Sequence, residues 1–220
     1  SSILDFEELL QEIVDLIQDR FEYPFIHLFL LQPDTEMLKY RAGAGERAKI
    51  LNKTGLQYSL TEKNGIIPWV ARQGKTLIAN DVHKESHYRP SVLSPSETAS
   101  EMAIPLRFGD HVLGVLDIQS EKISAFDDED RVLFEALGDS IAIAIRNSKL
   151  YNAERWRRQA ADSMREVAGL LPGNLALPNL LDIILTNLEN ILPCEASAIW
   201  LVDSESNKSI GGSLLKLAAA

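Results

Sequence analysis

One carboxylate stands inside an otherwise apolar strand pair, and it is the first residue with a setting for chemistry. In EMAIPLRFGDHVLGVLDIQS (101–120), apolar residues run from Met102 to Phe108, broken by Arg107. They resume from Val112 to Ile118, broken by Gly114 and Asp117. A carboxylate among apolar neighbours is costly unless it is paired or hydrogen-bonded, which makes Asp117 a candidate functional position. The bland alternative is a strand-end carboxylate that is solvated or held by a loop amide. His83 and His87 stand four apart, as a helical metal pair would. They lie in a predicted loop with no third ligand nearby, so no metal site is expected. The single cysteine, Cys194, excludes an internal disulfide and a cysteine-based zinc site. There is no phosphate-cradling glycine loop and no GxSxG, and the plentiful Asp and Glu show no recognisable catalytic spacing. The expectation is that this chain is not itself an enzyme.

The elements that must position Asp117 follow from pattern. Gly109-Asp110 suits a hairpin turn. A two-residue turn would set Leu106 opposite Leu113, Ile104 opposite Val115 and Met102 opposite Asp117. The other face would carry Ala103, Val112, Leu116 and Ile118. A pair apolar on both faces belongs in the middle of a sheet. Upstream, Ile3 to about Arg20 has helical spacing, FIHLFLLQ (25–32) is a strand, and MLKYRAG (37–43) is its antiparallel partner. Short helices are expected around Glu46–Asn52 and over Asn64–Arg72, the latter stopped by Gly74, followed by a strand at Thr76–Asp81. The polar stretch Val82–Ser100 is long for a plain connection and is a candidate binding loop.

Asp127, Asp128, Glu129 and Asp130 mark a helix start, because acids complement the macrodipole there. No proline interrupts the helix before Gly169. Its first half should pack Val132, Leu133, Leu137, Ile141 and Ile145 on the sheet. Its second half carries Leu150, Ala153, Trp156, Ala160, Met164, Val167 and Leu171 by threes and fours, so its expected partner is another helix. A parallel homodimer fits that stripe; folding back onto Ile3–Arg20 is the alternative. The fold class is α+β, a central antiparallel sheet flanked by helices, with a long C-terminal connecting helix.

The 220 residues carry a formal charge of −10, with 45% hydrophobic and 25% charged residues. That balance argues against nucleic acid, which needs clustered cations. The basic run Arg155-Trp-Arg157-Arg158 is expected to be a solvated helix face. No apolar run approaches the roughly 20 residues that span a bilayer. Asp5, Glu7 and Glu8 stand where a signal peptide would be basic. The expected setting is cytoplasmic, without membrane contact.

The chain also repeats itself. Residues 6–32 lie over residues 177–203 without a gap at a shift of 171, with Leu9-Leu10 on Leu180-Leu181 and Leu28–Leu31 on Ile199–Val202. LLKLAAA (214–220) then matches MLKYRAG, and a helix from Pro178 to Ile191 matches the first helix. The expected organisation is a domain over 1–150, a long helix over 127–171, and the start of a second domain over 175–220.

AIPL (103–106), GVLDIQS (114–120) and the helix entry at Phe126, Asp130, Leu133, Leu137 and Ile141 resemble the GAF domain family. The resemblance covers residues 1–150 as a whole domain and about 175–220 as a truncated second one. It implies a ligand pocket on one sheet face, walled by the short helix, the long loop and the central hairpin. Those regions offer Trp69, Asp81, His83, Tyr88, Glu101 and Asp117 as ligand-binding candidates. Bilin-binding members use a pocket cysteine, and residues 1–150 have none. Free-methionine sulfoxide reductases of this fold need catalytic cysteines, and Cys194 aligns near Tyr23, outside the equivalent pocket. Cyclic-nucleotide members resemble Asn-Lys followed by Phe and Asp-Glu; Ser120-Glu121 and Asp130-Arg131 stand there, so a cyclic nucleotide is not supported. A haem would need His83 or His87. The resemblance thus implies a non-catalytic sensory module of a signalling protein, such as a histidine kinase. It would bind an unidentified small molecule and relay the change through the long helix. The alternative is a ligand-free dimerisation or spacer module. An open polar cavity lined by Asp117, Glu101 and Tyr88 would favour sensing, and one closed by Trp69 and Met102 would favour a spacer.

Overall fold

The computed structural model describes residues 2–32, 35–90, 97–170, 181–186, 198–203 and 214–219. The chain divides into two compact units, residues 1–149 and 150–220. In the first, α1 (Ser2–Phe21) leads into β1 (Phe25–Gln32) and β2 (Met37–Gly45). Then come α2 (Glu46–Thr54), β3 (Gln57–Ser59), α3 (Ile66–Gln73) and β4 (Leu77–Ala79). A 3-10 turn (Val82–Lys84) precedes β5 (Ser100–Phe108) and β6 (His111–Ser120), and α4 spans Asp128–Leu170. The sheet order is β3-β2-β1-β6-β5-β4, with every neighbouring pair antiparallel. This is the expected α+β arrangement, with the 101–120 hairpin inside the sheet.

One sheet face is covered by α1 and α4, where Leu10, Val14 and Ile17 pack with Ile26, Leu28, Met102, Ile104, Leu116, Ile118 and Phe134. The face of α4 differs from the expected one. Val132 and Leu133 are exposed, while Phe134, Ile141, Ala142 and Ile145 are buried. The bare backbone of Gly138 sits close on β5, where a β-carbon would lie 3.1 Å from Ile104 Cγ2. α3 starts at Ile66, which places Pro68 where no intrahelical donor is lost.

The hairpin turn is Gly109-Asp110, closed by Phe108 opposite His111. Gly109 has φ 58° and Asp110 is not at positive φ, the type II′ pattern. The register differs from expectation. Leu106 faces Gly114 while Arg107 faces Val112, so Leu113 is an extra residue, a β-bulge. Beyond it every pair slips by one. Met102 faces Ile118, and Asp117 faces Ala103 instead of Met102. Side chains alternate along a strand, so the slip moves Asp117 to the opposite face from Met102. Glycine at 114 is required there, because a β-carbon would lie 2.1 Å from the Phe29 carbonyl oxygen.

In the second unit, residues 181–186 are helical, and β7 (Ile199–Asp203) pairs antiparallel with β8 (Leu214–Ala219). Its register repeats that of β1 and β2. Asp203 faces Leu214 as Gln32 faces Met37, Trp200 faces Leu217 as Phe29 faces Tyr40, and Ile199 faces Ala219 as Leu28 faces Ala42. The irregularity between Ile199 and Trp200 falls on the one between Leu28 and Phe29. Buried Leu181 and Leu185 likewise fall on buried Leu10 and Val14. The helix end at 171–174, most of the helix expected over Pro178–Ile191, and the side chains of Met164, Val167 and Leu171 lie outside the described residues.

Candidate functional site

The bulge and the alternation of three strands assemble a polar cluster. In the β1–β6 register His27 stands directly opposite Asp117. In the β5–β6 register Glu101 stands opposite Gln119, which makes it a diagonal neighbour of Asp117 on the same face. α2 packs over this face and adds Arg47. His27, Arg47, Thr98, Glu101, Asp117 and Gln119 are all buried.

Their bonds form one network. His27 Nδ1 lies 2.9 Å from Asp117 Oδ2, so Nδ1 is the donor, and in the neutral ring Nε2 is left as an acceptor. Gln119 Nε2 donates to the same Oδ2 at 2.7 Å. Arg47 Nη1 donates to Thr98 Oγ1 at 3.0 Å and to Gln119 Oε1 at 2.6 Å, and its guanidinium lies 3.8 Å from the Phe25 ring centre. Thr98 Oγ1 also donates to Gln119 Oε1, at 2.8 Å. Among the described residues, His27 Nε2 has no hydrogen-bond partner, and Asp117 Oδ1 has none unless Glu101 brings a proton.

The cluster lines a cavity of about 430 Å³. Phe29, Leu51, Leu56, Ile66, Ile67 and Pro68 give it apolar walls. Tyr58, Glu62, Tyr88 and Arg89 complete the polar lining. Glu62 and Arg89, the latter exposed, pair at 3.2 Å across two loops. Burial raises the Glu101 carboxyl well above the usual carboxylate range; the Asp117 charge and a hydrogen bond with Asp117 raise it further, and Arg47 opposes them. Burial also raises the Tyr58 and Tyr88 hydroxyls, helped by the neighbouring carboxylates. The Glu101 carboxyl therefore favours its protonated form, beside buried acceptors and an apolar wall.

Of the residues proposed from sequence, Tyr88, Glu101 and Asp117 are brought together on this cavity. Trp69, Asp81 and His83 are not. The half-buried Trp69 ring sits 5.2 Å from that of His87. Asp81 caps the 3-10 turn through the His83 amide and pairs with Lys84 at 2.8 Å, which holds its carboxyl low. His83 lies beside Tyr88, with ring centres 6.4 Å apart, but does not line the cavity. The histidine on the wall is His27, whereas His87 is bonded to Glu85 at 2.7 Å. Among the described residues no group of three His, Cys, Asp or Glu could hold a metal ion, and no helix is long and apolar enough to cross a membrane. His27 had a signal, as the one polar residue within FIHLFLL; Gln119 had one too, two residues from Asp117 on the same face. Arg47 had none, because its burial depends on where α2 docks.

Comparisons with known proteins agree with this fold. A GAF domain family model matches residues 4–146. No curated protein matches the chain. Among solved structures, the GAF domain of a phosphoenolpyruvate-protein phosphotransferase from Coxiella burnetii is 19% identical with a TM-score of 0.60. The match covers 67% of this chain and 86% of that one. The type II free methionine-R-sulfoxide reductase from Thermoplasma acidophilum is also 19% identical with a TM-score of 0.56, over 67% of this chain and 96% of that one. The free methionine-R-sulfoxide reductase from Neisseria meningitidis, solved with its substrate, is 18% identical with a TM-score of 0.56, over 66% and 81%. The two reductases are enzymes on this fold, so the expectation that the chain is not an enzyme does not stand. A sequence scan for motifs misses catalysis that a fold assembles from scattered residues. With its model spanning most of the chain and its fold matching, this protein belongs to the GAF domain family.

Proposed function

We propose that the first unit is a small-molecule-binding sensory module of a signalling protein. The observation that carries this reading is the cavity of about 430 Å³, in which buried acceptors on His27, Glu101 and Asp117 stand beside apolar walls. Such a mixture of apolar lining and a few fixed polar groups suits a small ligand. The ligand places hydrogen-bond donors on the acceptors and an apolar body against Phe29, Ile66 and Ile67. Tyr88 and Arg89 belong to the segment that follows Asn80. The Asn80 side chain donates to the Phe126 carbonyl at 2.9 Å and accepts from the Phe126 amide at 3.3 Å, two residues before α4. Ligand contact with that segment is relayed through Asn80 to α4 and on to an output domain, of the histidine-kinase kind or another. The equilibrium shifts only as far as the ligand prefers one state.

The repeated register, irregularity and buried positions of the second unit support a tandem arrangement, in which residues 175–220 begin a second domain of the same kind. Exposed Ile143, Leu150 and Trp156 on α4 support a homodimer through that helix. The single cysteine accords with a cytoplasmic setting. The spacer reading is weaker, since Trp69 does not close the cavity and Met102 points to the other face.

The test is a thermal-shift screen with a metabolite panel that includes methionine-R-sulfoxide, the Neisseria protein's substrate class, together with an assay for its turnover. A ligand at a hundredfold excess over Kd should add about 2.7 kcal/mol of stability. Silence across a broad panel would remove the sensory reading, and turnover would make the module catalytic.

A further inference from the structure

Resting on the cavity as a ligand site, the chemistry of its acceptors specifies the head group that it takes. Asp117 Oδ2 already accepts from His27 Nδ1 and Gln119 Nε2, and Oδ1 has no donor among the described residues. Glu101 lies diagonal to Asp117 on the same sheet face, and both residues line the cavity. Two carboxyl groups buried side by side favour a shared proton over two charges, in line with the raised Glu101 carboxyl. Asp117 is fully buried and Glu101 is 4% exposed, so water cannot separate them cheaply. His27 Nε2 adds a third acceptor on the same cavity wall.

We propose that the cavity selects a ligand with a primary ammonium head, and that the head replaces the proton shared by Glu101 and Asp117. The exchange balances: one proton leaves the Glu101 carboxyl for water as one positive charge enters, so the net charge of the buried site is unchanged. An ammonium has three donors, one each for Glu101, Asp117 Oδ1 and His27 Nε2. The aliphatic walls take its carbon body. A neutral donor such as a hydroxyl supplies no charge to offset an ionised Glu101 and leaves the proton in place. The charged and titratable groups facing Glu101 come from every side of the site: His27 on β1, Arg47 on α2, Tyr58 on β3, Glu85 and Tyr88 after the 3-10 turn, and Asp117 on β6. Arg47 favours ionised carboxyl groups, and it also donates to Thr98 and Gln119 and lies over the Phe25 ring.

The consequence is proton-linked capture. While Glu101 is protonated in the free protein, affinity for the ammonium rises about tenfold per pH unit, as release of one proton requires. The ammonium itself stays charged to about pH 10. The test uses the whole chain with n-butylammonium and n-butanol as matched probes. Carboxyl carbons of Glu and Asp are followed by NMR, and proton release is measured by calorimetry in two buffers of different ionisation enthalpy. Glu101 is assigned with Glu101→Gln, or with Glu101→Asp if the first variant does not fold. Butylammonium is expected to move the Glu101 carbon to its ionised position and release one proton, whereas butanol does neither. The proposal is overturned if butylammonium binds without proton release, if butanol binds as tightly, or if Glu101 is already ionised at mildly acidic pH. If neither probe perturbs any residue of the cavity wall, the ligand-site reading fails, and this proposal with it.

Discussion

On the face toward α1 and α4, strands β1, β5 and β6 present Ile26, Leu28, Met102, Ile104, Leu116 and Ile118, all buried and all apolar. On the other face the same three strands present His27, Phe29, Glu101, Ala103, Val115 and Asp117. The residues alternate one by one along the chain, yet the faces differ in what they must satisfy. The first gains stability simply by leaving water. The second buries charges and amides, each costly unless bonded. It meets that cost by linking His27, Asp117, Gln119, Arg47 and Thr98 into one network. His27 and Asp117, which keep unpartnered atoms among the described residues, line the cavity. The first face therefore holds the fold, and the second exchanges some of that stability for a site.

Four measurements would break or sharpen this contrast. Leu116→Ala, on the helical face, should cost about 2–5 kcal/mol in urea unfolding, the range for a buried leucine. A loss below about 1 kcal/mol would mean the face does not carry the fold. Arg47→Met, on the cavity face, should cost about 1–3 kcal/mol, because Thr98 and Gln119 lose a buried donor. It should also raise the Glu101 carboxyl further, since Arg47 now opposes that rise. An unchanged Glu101 titration would break the electrostatic link.

The third measurement is stability against pH. Burial and Asp117 place the folded Glu101 carboxyl above its ordinary value of 4.5, so the native state keeps a proton that the unfolded chain gives up. The contribution is fully present below that ordinary value and is lost as pH rises through the folded one. The slope in that window is at most about 1.4 kcal/mol per pH unit. Glu101→Gln should remove this component from a series of urea titrations, and an unaltered profile would count against the shared proton. The smallest effect belongs to Asn80→Ala, at about 1 kcal/mol for its bonds to Phe126. Faster amide exchange should appear at the start of α4, and any response of α4 to a cavity ligand should disappear. Persistence of that response would route the relay elsewhere.

Much of this was legible in the chain. The first strand, the hairpin turn and the start of α4 follow from apolar runs, glycine and an acidic cluster, which are local signals. Residues 6–32 lie over 177–203 as an ungapped match, and the β7–β8 register follows that of β1–β2 down to the irregularity at Phe29 and Trp200. The repeat also shows where local signals end. Ala198 stands at the position of His27, so the matching pattern does not carry the cavity histidine with it. The hairpin register was mistaken because nothing in HVLGVLDIQS marks Leu113 as an extra residue. One inserted position reverses every face beyond it. Trp69, Asp81 and His83 were assigned to the pocket because the family resemblance puts the short helix and the long loop on its wall, whereas Trp69 packs on His87, Asp81 caps the 3-10 turn and His83 lies beside Tyr88.

The sequence by itself determined the elements, their order and the family, because periodicity, caps and turn residues act within a few positions of one another. It also supplied both carboxyl groups of the site. Only the tertiary structure decided that they meet. Glu101 and Asp117 become neighbours through a bulge, His27 joins them from a strand ninety positions away, and Arg47 arrives on a helix with no apolar stripe to announce its burial. Pairing across strands and docking of helices depend on long-range register, and a shift of one residue is enough to replace a buried carboxyl pair with an apolar wall.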